Sequence, residues 1–455
     1  MSSPRDTQLI PDRDLPGRRP RLTARTVAIE PSFLLPVAVL YAHLNRVYWS
    51  DPTTQTITLG LGTAAAIDAR GPERFAFIRE QAEKLFAGME LSGSESGIEP
   101  RLWGGFAFDD VSARTSDPLW DVFPAAHFHI PRLTFTISPD GAWLTAAQYG
   151  SAPDTLQTLI EDTLAQAREA GETMPMRPYA NTLSLLADQP TWNQMVTSAV
   201  REIRAGQMEK VVLARAVELH YPLRLEPASA VDSLQDQYND CVVFMMEPSP
   251  GNAFFGATPE VLVRKQGKQF ETAALAGSRK RGKSDEDDAR AARELLASDK
   301  DRREHAFVVE EIERRVGALS TSVNMPQTPG ILKLKNIQHL HTPITGTLSG
   351  ETHVVELVEL LHPTPALGGT PREMALEALR RLEPTARGWY AAPVGMIDRH
   401  GNGMFAVAIR SGVSAGKIVR LYAGAGIVDA SDPDAEWAET SLKLRPLYTA
   451  LGLDT

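Results

Sequence analysis

The sequence predicts an α+β fold built on antiparallel sheets, and three observations carry that expectation. Strand-like runs of β-branched and alternating residues recur through both halves of the chain, as in TQTITLGLG, RLTFTIS and GMFAVAIRSG. Short glycine-bearing turns, QGK at Gln266–Lys268 and SAG at Ser414–Gly416, join consecutive runs directly, which makes hairpins rather than βαβ units. Helical patterns stand between groups of strands instead of alternating with each one, and no period of about 20 to 50 residues repeats.

Taken in order, residues 1–21 (MSSPRDTQLIPDRDLPGRRPR) are charged and Pro-rich without an apolar core, so they read as a loose leader and not as a signal peptide. Between Leu22 and Gly150 the strand runs TVAIEPSFLL, TQTITLGLG and RLTFTIS surround one clear helix, FAFIREQAEKLFAG. A second helix, from about Asp154 to Ala170, enters GETMPMRPYAN, whose prolines and glycine suggest a surface connection. Residues 22–180 are therefore expected to form an α+β scaffold part, with a soft boundary before a second part, 181–455, the two making one integrated fold.

That second part opens with the amphipathic helix TWNQMVTSAVREIRAGQ. Thr191 and Gln194 stand at capping-box spacing, Met195, Val196, Val200 and Ile203 share a face, and Gly206 is the stop. EKVVLARAVEL follows at once as a buried strand, and further strands are expected at FFGATPEVLVRKQ, KQFETAALAG, ILKLKNIQHLHT, GMFAVAIRSG and KIVRLYAGAGI. The charged run KRGKSDEDDARAARELLASDKDRRE reads as a solvated helix with its flanks. Near the C-terminus SDPDAEWAETSLKLRPLYTAL starts a helix, with Asp432 as N-cap and Pro433 in the first helical position.

Composition narrows the function classes. A chain of 455 residues with 57 acidic against 47 basic residues has a formal net charge of −10 and no sustained basic stripe, so nucleic acid is not an expected partner. No apolar run approaches the ~18 residues of a membrane span. The single cysteine, Cys241, lies in the apolar run CVVFMME and allows neither a disulfide framework nor a zinc cluster, as suits a reducing cytoplasm. No Ser/His/Asp order, P-loop or dinucleotide fingerprint occurs.

Several polar residues can carry chemistry, each with an ordinary alternative. Glu436 and Glu439 lie three apart on one helix face near its N-terminus. They suit the partial oxygen shell of Mg²⁺, or equally a favourable first turn with Glu439 paired to Lys443. Asp301 and Glu304 form a capping-box pattern before HAFVVEEIERRVG, so Glu304 is a cap or a ligand. Lys210 enters a buried strand, where desolvation favours a general base, unless it snorkels to water. Glu260 sits where a loop becomes a strand, facing a cleft or the surface. Arg410 ends the alternation of AVAIR beside the small Ala406 and Ala408, with room for a carboxylate or a surface ion pair; Gly424 and Gly426 on the next strand allow backbone to approach a ligand. His339, in an alternating strand, is a satisfied core histidine or a donor to an anion.

Together these residues resemble the chorismate-utilising enzymes, the family of isochorismate, salicylate, anthranilate and aminodeoxychorismate synthases. The likeness spans roughly Thr191–Leu451 and rests on EKVVLARAVEL, GATPEVLVRK, TAALAGS, DRREH, HLHTPITG, HPTPALGG, FAVAIRSG and GAGIVDASDPDAEWAETSLKL, with RLWGGFAFD earlier. The resemblance implies two facing antiparallel sheets with outer helices and a cleft between them. It implies Mg²⁺ held by Glu304 and Glu439 with Glu436 acting through water, and a chorismate carboxylate held by Arg410, Lys443 and the backbone around Gly424. It further implies His339 beside the substrate, Lys210 as the base activating water at C2, and Glu260 as the acid at C4. Amine-using relatives carry glutamine where Lys210 stands, so no glutaminase partner is expected. The nucleophilic lysine of aminodeoxychorismate synthases is replaced by Ala276. Ala366, where pyruvate-eliminating relatives often carry threonine, makes the chain most similar to the synthases that stop at isochorismate; a salicylate synthase and a catalytically silent binding relative are the alternatives.

Overall fold

The computed structural model describes residues 21–31, 34–93, 98–110, 117–170, 179–180, 182–335 and 337–453. The expected leader lies outside the described residues except for Arg21, as does the GETMPMRPYAN connection except for Tyr179 and Ala180.

Two large sheets form the body. The 13-stranded sheet runs through the strands Thr182–Leu185, Lys210–His220, Ile418–Ile427, Ser411–Ala415, Asn252–Thr258, Val242–Ser249, Arg46–Asp51, Thr56–Leu61, Leu133–Ser138, Gly141–Tyr149, Leu22–Ile29 and Glu90–Ser92, with Gly369–Thr370 paired beside Lys210. The 10-stranded sheet runs Ser320–Asn324, Ile337–Leu348, Gln269–Lys280, Val261–Gln266, Gly403–Val407, Pro393–Ile397, Leu102–Phe106, Ala126–Ile130 and Ala65–Ala69, with Gly330–Lys333 paired to Ile337–Leu348. Among the described residues only the short Leu22–Ile29/Glu90–Ser92 pairing is parallel, so the antiparallel expectation holds. The QGK and SAG turns are hairpins, with Gly267 and Gly416 at φ +56° and +60°, a left-handed conformation that glycine adopts without a Cβ clash.

The sheets face one another through large aromatics. Trp49 of the first lies 5.8 Å from Trp103 of the second, ring to ring, and one continuous apolar cluster draws on both sheets. Both sheets also join the two halves of the chain. Val242–Ser249 pairs with Arg46–Asp51, and Pro393–Ile397 pairs with Leu102–Phe106.

The strand Lys210–His220 is buried along nearly its whole length, because the helices Gln189–Arg204 and Arg372–Leu382 pack on it; this is why it reads as a continuous apolar run and not an alternation. On the other sheet the helices Arg74–Ala87 and Val354–Leu361 pack together, and Asp299–Gly317 lies along Gln269–Lys280.

Several expectations need correction. TVAIEPSFLL is not one strand, since the chain leaves the sheet after Ile29 and Leu34–Leu40 is helical. Pro31 removes a ladder donor in this stretch. The helix through Thr191 begins at Gln189, and Asp188, whose carboxylate accepts from Thr191 N at 3.0 Å, is its N-cap. ILKLKNIQHLHT folds back on itself, with Ile331 opposite Leu340. The charged run from Lys280 is two helices, Asp285–Ala297 and Asp299–Gly317, broken at Ser298.

Candidate active site

The residues singled out in the sequence come from distant parts of the chain and line one cavity of about 190 Å³: Lys210, Glu260, Glu304, His339, Ala366, Arg410, Gly424, Glu436, Glu439 and Lys443. Two helix N-terminal segments and the inner ends of strands from both sheets supply its wall.

Lys210 is the first residue of its strand and is only 8% exposed. Its Nζ donates to Glu304 Oε1 at 2.5 Å. Gly426 on the adjacent strand makes space for it, for a Cβ there would stand 3.0 Å from Lys210 Cε. Glu304 is not part of an Asp301 capping box, because Ser298 is the N-cap of its helix and accepts from Asp301 N at 3.3 Å. The carboxylate of Glu304 is thereby left to the cavity.

Glu260 follows the strand Asn252–Thr258 and precedes Val261–Gln266, and its carbonyl accepts from Val407 N at 2.9 Å. This backbone anchor turns the side chain inward. Burial pushes its carboxyl up to about 7 against the opposing pull of Arg410, Lys443 and Lys210, so near neutral pH it is divided between acid and carboxylate.

Arg410 does not continue the alternation of AVAIR. The strand ends at Val407, and Arg410 takes φ +50°, so it reaches the cavity from a left-handed connection and not as a neighbour of Ala406 and Ala408 on one sheet face. Its Nη2 lies 3.4 Å from His339 Nε2, while His339 Nδ1 is 2.7 Å from Ser278 Oγ. Burial, with Arg410 and Lys443, pushes the imidazole down to about 3, so it is neutral. A guanidinium can only donate, so Nε2 accepts and the ring proton belongs on Nδ1, facing Ser278. In this state the two ring nitrogens of His339 face Arg410 and Ser278.

On the helix Pro433–Ala450, Asp432 is the N-cap, accepting from Ala435 N at 2.9 Å, and Pro433 is the first helical residue. Lys443 Nζ reaches Glu439 Oε1 at 2.7 Å and the carbonyl of Gly424 at 2.9 Å. The i,i+4 pair foreseen as the ordinary alternative is thus present, inside the cavity. Lys443 holds the Glu439 carboxyl down against burial. Burial pushes Glu436 up, opposed by a hydrogen bond from Ser431 and reinforced by the charge of Glu439.

Among the described residues no three His, Cys, Asp or Glu side chains gather as a ready-made metal cluster. The donor chemistry nevertheless fits Mg²⁺. Glu304, Glu436 and Glu439 are oxygen donors on one wall, and the charge crowding at Glu436 is what a cation relieves. Mg²⁺ takes only one or two carboxylates and fills its shell with water and substrate anions.

The sequence did not single out Tyr390, Arg387, Ser278 or Lys300, which also line the cavity. Arg387, 3% exposed, donates to the carbonyls of Leu367 at 3.1 Å and Val212 at 2.5 Å and pairs with Glu383, tying the loop of Ala366 to the strand of Lys210. Tyr390 stacks on Tyr422 at 4.9 Å, with its hydroxyl 3.3 Å from where a Cβ of Gly424 would stand. Both lie in RGWYAAP, a stretch without periodicity; the only signal was an arginine and a tyrosine beside glycine in an otherwise apolar segment.

A family model described as "Chorismate binding enzyme" matches residues 18–452. The chain belongs to the chorismate-binding enzyme family. Among curated family members it is 38% identical over 423 residues to isochorismate synthase MenF of Bacillus subtilis, covering 90% of this chain and 88% of that one. It is 36% identical over 452 residues to the salicylate biosynthesis isochorismate synthase of Pseudomonas aeruginosa, covering 96% and 92%. Its fold superposes on the menaquinone-specific isochorismate synthase MenF of Escherichia coli with a TM-score of 0.80 at 26% identity, over 96% of each chain. The fold alone is shared with anthranilate synthase component I of Streptococcus pneumoniae, at a TM-score of 0.70, 19% identity and 96% and 94% coverage. Chorismate-binding enzymes of different chemistry thus share this architecture, and the residues around the cavity must decide among them.

Proposed function

We propose that this chain is an isochorismate synthase, a Mg²⁺-dependent isomerase that interconverts chorismate and isochorismate for menaquinone or siderophore synthesis. The relatives named above support this reading across nearly the whole chain. The observation that carries it is the pairing of two proton-transfer groups on one cavity: the buried amine of Lys210, and Glu260 held near 7.

Moving the hydroxyl from C4 to C2 forms one C–O bond and breaks another. Lys210, whose Nζ is paired with Glu304 here, must first give up its own proton and then takes one from the water that attacks C2, while Glu260 gives a proton to the hydroxyl that leaves C4. Each such transfer contributes roughly 10² to 10⁴ in rate. Arg410 and Lys443 hold a substrate carboxylate beside the backbone of Gly424, and His339, locked to Ser278, fixes the direction of Arg410. Glu304 and Glu439, with Glu436 acting through water, would hold the metal. When bound, Mg²⁺ supplies countercharge to the ring carboxylate while the allylic electrons shift. Water is the nucleophile, so no glutaminase subunit is needed, and the substrate is a small cytoplasmic metabolite. No helix of the described residues is long and apolar enough to cross a membrane.

The test is to incubate the purified protein with chorismate and Mg²⁺ and identify the product by chromatography, while a lactate dehydrogenase assay follows pyruvate and fluorescence follows salicylate. Isochorismate as the main early product, abolished by chelator and restored by Mg²⁺, is the expected result. Stoichiometric pyruvate and salicylate would make the chain a salicylate synthase instead, and full turnover in metal-free buffer would remove the metal from the reading.

A further inference from the structure

The carboxylates on the cavity wall are not equally matched by cations. Glu304 has Lys210 at 2.5 Å and Glu439 has Lys443 at 2.7 Å. Glu436 has no lysine or arginine at ion-pair distance among the described residues, although it is only 8% exposed. Lys300 lines the same cavity from its exposed rim, and its ammonium makes no hydrogen bond or ion pair among the described residues. It shares that cavity with Glu436 and Glu439.

Its place in the helix points the same way. Lys300 is the second residue of Asp299–Gly317, a first-turn position where exposed N–H groups favour acids such as its neighbours Asp299 and Asp301 and disfavour an ammonium. Set against that, Lys300 stands four residues before Glu304, at the spacing where side chains on one helix face meet.

We propose that Lys300 is a resident counter-cation of the carboxylate site, competing with the divalent ion and so setting how tightly the substrate-free protein holds Mg²⁺. This rests on the metal reading of Glu304, Glu436 and Glu439. A divalent ion entering beside Glu436 and Glu439 must share them with a positive charge fixed at the rim. Removing that charge strengthens metal binding, and reversing it strengthens binding further. Because Lys300 is exposed, the effect is screened and shrinks as salt rises.

The experiment titrates Mg²⁺ alone into substrate-free protein by calorimetry, at low and high ionic strength, with thermal melts recorded on every variant to verify folding. Lys300→Met, which keeps the aliphatic stem, should tighten Mg²⁺ by about three- to tenfold at low salt, on the scale of partly screened single charges. Lys300→Glu should tighten it more, Lys300→Arg should match the wild type, and the differences should narrow at high salt. Glu439→Gln serves as the control. If the wild type takes up no Mg²⁺, or Glu439→Gln takes it up equally well, the metal reading and this inference fall together. If the wild type binds through Glu439 but Lys300→Met binds no tighter than wild type, only this inference falls.

Discussion

Lys210 and Glu260 are buried polar groups and Arg410 is half-buried, and a polar group taken from water costs stability unless it is paired or hydrogen-bonded. For Glu260 the cost has a titration signature. Its carboxyl is raised from the ordinary range to about 7, so the protonated form that can donate is lost as pH rises through that value. We expect kcat/KM, which reports the free enzyme, to fall above about pH 7 with a slope of one, and a flat profile from pH 6 to 9 would exclude Glu260 as the acid. The same shift has a stability consequence. The folded protein binds this proton more tightly than the unfolded chain, so Glu260 costs stability as pH rises from the unfolded carboxylate range toward about 7. Lys210→Ala and Glu260→Gln should each lower turnover by about 10² or more with the fold intact in near-UV circular dichroism. At Ala366 the missing hydroxyl is the point. Threonine there can hold the enolpyruvyl arm of isochorismate in a reactive conformer, and pre-orientation of reacting groups is worth several kcal/mol. Ala366→Thr should therefore release less isochorismate and add a trace of pyruvate in the coupled assay; an unchanged product ratio would take position 366 out of the choice between stopping and eliminating. The identities of these residues were legible because ordered motifs name them. Their geometry was not. Arg410 reaches the cavity by a positive φ, which no alternation pattern encodes, and the neutral state of His339 comes from burial first and then from two cations brought in from other elements.

The helix Pro433–Ala450 shows what holds at the scale of elements. It carries Glu436, Glu439 and Lys443, so whatever frays its first two turns moves the two proposed metal ligands, and with Glu439 the ion pair to Lys443. Asp432→Ala removes the side-chain bond to Ala435 N and should cost about 1 kcal/mol of stability. We expect a lowered melting temperature and, separately, a raised Mg²⁺ requirement for turnover, since the cap lies one turn from Glu436. A variant that melts earlier but shows the wild-type Mg²⁺ requirement would mean that the cap supports the fold and not the site. This cap was readable because Asp-Pro opening a run of helix-forming residues has one local meaning. Thr191 and Asp301 misled for the complementary reason. In each case a capping-box spacing occurred one turn inside the helix, and the true caps, Asp188 and Ser298, lie three residues earlier. ILKLKNIQHLHT misled because a fold-back between two strands of one sheet leaves both halves looking extended, and the reversal near Leu334 has no glycine to announce it.

At the scale of the molecule, the division near residue 180 suggested by prolines and glycine is a division of sequence that the sheets do not respect. Hairpin signals foretold antiparallel pairing between neighbours in the chain, but the pairing of Val242–Ser249 with Arg46–Asp51, and of Pro393–Ile397 with Leu102–Phe106, joins strands far apart in sequence, which no local pattern reports. Removing residues 1–180 would leave both Val242–Ser249 and Pro393–Ile397 as bare edges and strip Trp49 and Trp103 from the space between the sheets. Exposed apolar edges of that length template aggregation. The remaining piece would hold every residue of the cavity wall, because the wall is drawn entirely from Lys210 onward. It is therefore a clean separation of chemistry from support. We expect a fragment beginning at Thr182 to be insoluble, or to lack a cooperative thermal transition and near-UV circular dichroism, and to show no turnover of chorismate despite its complete site. Co-expression with a fragment covering residues 1–180 should recover soluble, active protein, because the missing edges would be supplied in trans. A fragment from Thr182 that melts cooperatively by itself would show instead that the second part is an independent domain and that the first merely decorates its sheets.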